Sequence, residues 1–268
     1  MVATSKLDTT PFSISPNPNS LYITPSLKGV LAKARFTINK RQGLTCAALG
    51  DVGMGKSTVL RYLYGEYAAK EDCVTTLIPT PKFPTLFGML KYICSDFEIE
   101  PKRSFVTQQD ALQEFLLKQY QDSKNVVLFI DEAQLLDNQQ LELIRGFLNF
   151  ETHEHKLIQI ALAGQLELKD KLNTEKNKAL YSRISTYSML DPLTPEETKL
   201  MIEHRCKYMG IPNPFTDEAM ETVFIKSKGI PRSILKLCAL SYEMMEMASE
   251  QTIGSDYIHD AVPEVAIE

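Results

Sequence analysis

The residues best able to do chemistry begin at Gly50-Asp51-Val52-Gly53-Met54-Gly55-Lys56-Ser57, a run that fits Gly-x-x-x-x-Gly-Lys-[Ser/Thr], the phosphate-binding P-loop pattern. Its glycines tolerate positive φ and carry no side chains, so successive backbone N–H groups can curl around a phosphate. A helix expected to open near Lys56, with Thr58 in its first turn, adds the positive end of its dipole. Lys56 is expected to reach the β- and γ-phosphates of ATP, and the Ser57 hydroxyl to coordinate the Mg²⁺ bridging them.

Roughly 75 residues downstream, the apolar run Val126-Val127-Leu128-Phe129-Ile130 ends in Asp131-Glu132, the arrangement called Walker B. A carboxylate at a buried strand's C-terminal end can hold the metal, which is the role expected of Asp131, and the next one, Glu132, can orient and deprotonate an attacking water. Strands often finish in polar turns, and Glu132 could instead serve as a helix-capping acid. Downstream of a P-loop the pair points to hydrolysis of ATP rather than to binding alone.

Positioning these groups requires strands that end together. Short apolar runs at 44–49, 73–78, 126–130 and 157–162 read as buried parallel strands, and 185–190 as a weaker fifth. Helical patterns of crossover length lie between them at 58–69, 85–97, 108–121 and 138–149, which predicts a parallel α/β sheet covered on both faces. After Asp191 the signals are helical, at 195–208, 217–226, 232–249 and 256–262. Thr194 before Pro195-Glu196-Glu197, and Thr216 before Asp217-Glu218, are N-cap signatures. The expected division is an N-terminal strap and first helix over 1–43, an α/β core over 44–191, and a helical lid with an acidic C-terminal segment over 192–268.

The whole chain has 268 residues, 44% hydrophobic and 24% charged, which excludes a disordered, collagen-like or disulfide-dense protein. No apolar run approaches the roughly 20 residues that span a bilayer, and the N-terminus lacks a signal pattern, so a cytoplasmic protein is expected. Cys46, Cys73, Cys94, Cys206 and Cys238 stand singly in apolar stretches and read as reduced core residues; His153 and His155 lack a third ligand motif. Net charge is −5, yet seven acidic residues and no Lys or Arg follow Ser241, which leaves +2 on residues 1–240. Lys28, Lys33, Arg35, Lys40 and Arg41 fall in a stretch, Thr9–Gly50, that has no acid. A local basic face is therefore available despite the acidic total.

Pro11-Phe12-Ser13-Ile14-Ser15-Pro16-Asn17-Pro18 leading to Leu21-Tyr22, then Gly50–Ser57, Asp131-Glu132-Ala133-Gln134, Leu162-Ala163-Gly164-Gln165 and Gly229-Ile230-Pro231-Arg232, together resemble the AAA+ ATPases of the ExeA type. That grouping includes the TniB and TnsC-like regulators of DNA transposition. The resemblance implies a P-loop AAA+ domain whose five-stranded sheet runs 5-1-4-3-2, followed by a small helical lid. It implies that Gln165 stands at the sensor 1 position, where Asn is more usual, and that Arg183 is an arginine finger reaching a neighbouring subunit's nucleotide. Arg183 could otherwise be a helix C-terminal arginine meeting the dipole. Arg232 matches sensor 2, and the segment ending at Tyr22 is expected to lie against adenine. A finger supplied in trans implies a homo-oligomeric ring or filament.

Two uses follow from the same resemblance. In the first, the chain forms ATP-dependent oligomers on double-stranded DNA and recruits or activates a transposase, with Lys82, Lys102 and Arg103 lining the channel. In the second, it serves a secretion or pilus apparatus. Secretion-type relatives carry a membrane span and a wall-binding domain beyond the lid, so a chain ending at the lid is expected to be of the transposition type. A nucleotide-switch protein without a DNA role is a third reading. No helix-turn-helix or zinc module that would read bases is visible.

Overall fold

The computed structural model describes residues 11–267. In chain order its elements are α1 (Pro25–Asn39), β1 (Leu44–Leu49), α2 (Lys56–Ala68), β2 (Cys73–Ile78), α3 (Leu86–Asp96), α4 (Phe105–Gln121), β3 (Asn125–Ile130), α5 (Asn138–Phe147), β4 (Ile158–Gly164), α6 (Leu166–Leu172), α7 (Lys178–Tyr181) and β5 (Ile184–Met189). Then follow α8 (Pro195–Met209), α9 (Asp217–Ser227), α10 (Pro231–Ala248) and α11 (Ser255–Ala261). They fall into two compact units. One comprises residues 25–51 and Lys56–Leu190; the other comprises residues 11–24, Val52–Gly55 and residues 191–267.

The first unit is an α/β layer structure. Its strands are all parallel and run β2-β3-β4-β1-β5, the same order as 5-1-4-3-2 read from the other edge. Every residue of β1, β3 and β4 is buried, as strands with helices on both faces must be, while β2 and β5 are partly exposed because they are the edges. Their apolar side chains form one core with Met89, Leu90, Leu112, Leu116, Ile144 and Phe147 from the helices. Truncating a residue such as Phe147, which is fully buried, to Ala would cost about 3–5 kcal/mol. A bidentate pair between Arg35 and Glu66, with Nη2 to Oε2 at 2.7 Å, and a bond from Tyr67 to Asn39 at 2.8 Å fasten α1 to α2.

The second unit is helical. Thr194 and Glu197 form a reciprocal capping box at the start of α8, and Thr216 accepts from the Ala219 N–H at the start of α9, as their sequence signatures predict. Residues 11–24 belong to this unit. Phe12, 1% exposed, meets the Phe215 ring edge-on at 5.5 Å, and the Tyr22 ring lies 5.7 Å from that of His204.

All five cysteines are free, and four are buried; Cys73, at the exposed start of edge strand β2, is only half-buried. Among the described residues no helix is long and apolar enough to cross a membrane.

Candidate active site

A parallel sheet delivers the ends of its strands to one edge. Register pairs Leu49 with Gly164 and Ile130 with Leu162, so the segments after β1, β3 and β4 emerge side by side. These segments carry Gly50-Asp51, Asp131-Glu132 and Gln165. Sequence order separates them by more than a hundred residues, and topology reunites them.

Gly53 and Gly55 in the loop after β1 hold φ of 78° and 83°, the left-handed region that an L side chain resists. Within the α/β unit, Lys56 is 7% exposed and donates from Nζ to the Asp51 carbonyl at 2.6 Å. Its ammonium is thus aimed back along the loop, where a polyphosphate would lie. Helix α2 starts at Lys56, where the P-loop pattern expects it to open, so Ser57 and Thr58 occupy its first turn.

Asp131 is 4% exposed, and the nearby Ser57 hydroxyl favours its ionised form. Burial pushes the Asp131 carboxyl above its ordinary 3.8, opposed by the Ser57 hydroxyl, by the bond from the Glu132 N–H and by the Arg61 charge. A hydroxyl near a carboxylate at a helix N-terminus is a pair of hard oxygen donors. That chemistry fits Mg²⁺, which takes one or two protein oxygens and completes its shell with water and phosphate. Among the described residues there is no cluster of three or more His, Cys, Asp and Glu suited to a metal, and His153 and His155 make none.

Glu132 adopts a left-handed backbone, φ 50° and ψ 36°, which a non-glycine residue holds at a cost. It occupies the cap position of a short 3₁₀ turn, Ala133–Leu135, but makes no side-chain capping bond. Its carboxylate instead accepts from Gln134 Nε2 at 2.5 Å, and its N–H donates to Asp131 Oδ1 at 2.9 Å. Gln165 caps α6 without a side-chain capping bond, and its N–H donates to Gln134 Oε1 at 3.0 Å. The sequence places Gln134 at the end of the Asp131-Glu132-Ala133-Gln134 motif, which by itself assigns it no role.

Arg183 lies elsewhere. It directly precedes β5, whose first residue Ile184 pairs with Leu44 at the start of β1. Six residues of β1 at 3.3 Å each therefore place it about 20 Å from the edge that carries Lys56 and Glu132. There Arg183 Nη1 donates to Asn149 Oδ1 at 2.5 Å, on the rim of an open depression of ≈ 740 Å³ that Lys40, Arg41 and Lys156 also line.

Tyr22, Val52, Gly53, Met54, Gly55 and Arg232 belong to the helical unit. Within it the Arg232 N–H donates to the Gly53 carbonyl at 3.1 Å. Lys82, Lys102 and Arg103 are exposed on two loops of the α/β unit. The buried Gln108 side chain accepts from the Lys102 N–H at 2.6 Å, and Gln140 donates to the Phe83 carbonyl at 3.3 Å, so each loop is pinned to a helix.

The family pattern described as "AAA domain" matches residues 39–172, half of the chain. The chain is 32% identical over 231 residues to General secretion pathway protein A of Aeromonas hydrophila, a match covering 85% of this chain and 42% of that protein. It thus spans about two-fifths of the length of this curated relative. Its fold is similar to that of the ORC2 protein of Aeropyrum pernix in ADPNP–ADP complexes, with TM-score 0.71, 18% identity, and 97% of this chain and 73% of that chain covered. Cdc6p of Pyrobaculum aerophilum gives TM-score 0.70 at 16% identity, covering 97% and 71%. The Thermotoga maritima RuvB branch migration motor gives TM-score 0.57 at 17% identity, covering 93% and 74%. With its P-loop and paired carboxylates at one edge of a sheet of this order, the chain belongs to the AAA domain family and is an AAA+ ATP hydrolase.

Proposed function

We propose that the chain works as an oligomer in which each copy completes its neighbour's ATP site, and that this oligomer assembles on double-stranded DNA to regulate transposition. The observation that carries the reading is the position of Arg183, about a strand's length from the edge holding Lys56 and Glu132 of its own chain. An arginine so placed cannot serve its own nucleotide. It can serve another's, supplying positive charge to the transferring phosphoryl group in trans.

Within one copy the proposed roles divide among these residues. Backbone N–H groups of Gly50–Gly55 and the first turn through Thr58 cradle the phosphates, and Lys56 neutralises the β- and γ-oxygens. Ser57 and Asp131 would hold Mg²⁺, which supplies further charge neutralisation there. Glu132 takes a proton from water as the water oxygen bonds the γ-phosphorus and the bond to the β-bridging oxygen breaks, giving ADP and phosphate. Gln165 steadies that water, Arg232 reaches the γ-phosphate, and Tyr22 lies by the adenine.

For DNA, exposed Lys82, Lys102 and Arg103 would meet phosphates, each copy adding few contacts and the assembly many. Pinned loops support this, since ordering them on binding costs little entropy. A second reading, an ATPase of a secretion apparatus, is favoured by the 32% identity to General secretion pathway protein A over 85% of the chain.

Electron microscopy with ATP and short duplexes separates the two. Rings or filaments that need DNA, and that weaken in Lys82→Ala with Lys102→Ala while nucleotide affinity holds, support the first. DNA-independent assembly supports the second. The trans assignment is tested by mixing inactive Arg183→Ala with inactive Lys56→Ala: one intact junction regains turnover, whereas silent mixtures refute it.

A further inference from the structure

We propose that Gln134 is a positioning residue for hydrolysis, a side-chain bridge that orients the Glu132 carboxylate and ties it to the segment carrying Gln165. The inference rests on Glu132 being the base, as proposed above. Both ends of the Gln134 amide are engaged with groups of opposite character. Nε2 donates to Glu132 Oε2 at 2.5 Å, and Oε1 accepts from the Gln165 N–H at 3.0 Å. Flipping the amide would set a carbonyl against a carboxylate and an NH₂ against an N–H, so only one orientation satisfies both partners. The bridge links the ends of β3 and β4, adjacent strands whose loops face the same nucleotide edge.

The bridge is itself held. Lys171 Nζ donates to the carbonyls of Gln134 and Leu136, each at 2.6 Å, and so clamps the 3₁₀ turn from α6. Gly164 leaves the space the amide occupies: a Cβ there would stand 3.0 Å from Gln134 Oε1 and 3.3 Å from its backbone N. Glu132 is meanwhile fixed by its left-handed backbone and by its N–H bond to Asp131. With Oε2 anchored to an amide, Oε1 is the oxygen left to take a proton from water. Any movement of the Gln165 segment is carried to the base through two hydrogen bonds.

Three variants separate this role from a structural brace. Gln134→Met keeps bulk and loses both bonds, Gln134→Asn keeps both groups but is too short to span them, and Gln134→Glu keeps only the acceptor for Gln165. Turnover is measured under conditions in which the wild type hydrolyses ATP, beside affinity for a non-hydrolysable ATP analogue and thermal melting, with Glu132→Gln as the benchmark. All three are expected to lower kcat about tenfold to a hundredfold, with KM and analogue affinity within about twofold. Gln134→Met in a Glu132→Gln background should lose nothing more. If Gln134→Glu turns over like the wild type, or if Met and Asn raise KM and leave kcat alone, the bridge does not orient the base. Should Gln134→Met fail to fold, the Asn and Glu variants decide. If Glu132→Gln itself hydrolyses normally, the base assignment fails instead, and the two failures are told apart.

Discussion

Gly229→Ala, read against Gly210→Ala, tests whether close packing at the start of α10 holds the helical unit together. Gly210 and Gly229 have nearly the same backbone, φ 72° and 73°, so replacing either imposes the same left-handed penalty of roughly 1–2 kcal/mol. Their surroundings differ. A Cβ on Gly210 meets nothing within 4 Å, whereas one on Gly229 would stand 2.1 Å from the Leu193 carbonyl oxygen, a backbone atom that cannot rotate aside. Relief requires the 193 and 229 segments to part, which strains the 2.8 Å bond from the Leu193 N–H to the Gly229 carbonyl. That bond is worth about 1 kcal/mol, and a forced backbone shift costs about 1–3 kcal/mol more. Gly229→Ala should therefore lose about 2–4 kcal/mol beyond Gly210→Ala in urea unfolding followed by circular dichroism. Because Arg232 lies three residues on, hydrolysis should fall in Gly229→Ala and hold in Gly210→Ala. Equal losses of stability in the two variants would refute the packing argument.

Burial and the neighbouring charges of Arg205 and Lys207 hold His204 below its ordinary 6.5, so the folded chain binds fewer protons there than the unfolded one. Its contribution is fully present above about 6.5 and is lost as pH falls through the lowered value. His204→Gln should reduce the drop in urea midpoint between pH 7.5 and 5.5; identical drops would remove His204 from the cause. Cys73 should be the cysteine that an aromatic disulfide reagent reaches first in the native protein, and slowly, because burial and Asp72 hold its thiol up to about 11. Rapid labelling of a second cysteine before unfolding would contradict the packing of the core.

Much of the α/β unit is legible residue by residue. β1 and β2 fall on the runs 44–49 and 73–78, because each is a short stretch of aliphatic and β-branched residues bounded by polar turns. At the edge the signal weakens, and β5 begins at Ile184 rather than 185. α4 begins at Phe105, three residues before the expected 108, since Ser104 and Thr107 form a capping box lacking the acid usually sought there. β4 starts one residue after the expected 157 and runs on to Gly164, and α6 and α7, at seven and four residues, are too short to show a helical period in the sequence. Local pattern also says little about partners distant in sequence. Phe12 reads as part of a polar strap, yet it packs on Phe215, two hundred residues away. Gln134 is one more polar residue in a turn until its two hydrogen bonds are seen.

The most direct test of the account is ATP hydrolysis by the purified chain beside Lys56→Ala and Glu132→Gln, with nucleotide binding measured on all three. The account predicts that the wild type binds and hydrolyses ATP, that Lys56→Ala loses binding, and that Glu132→Gln binds as tightly as the wild type while turnover stops. Hydrolysis by Lys56→Ala at the wild-type rate, or unchanged turnover by Glu132→Gln, would contradict it.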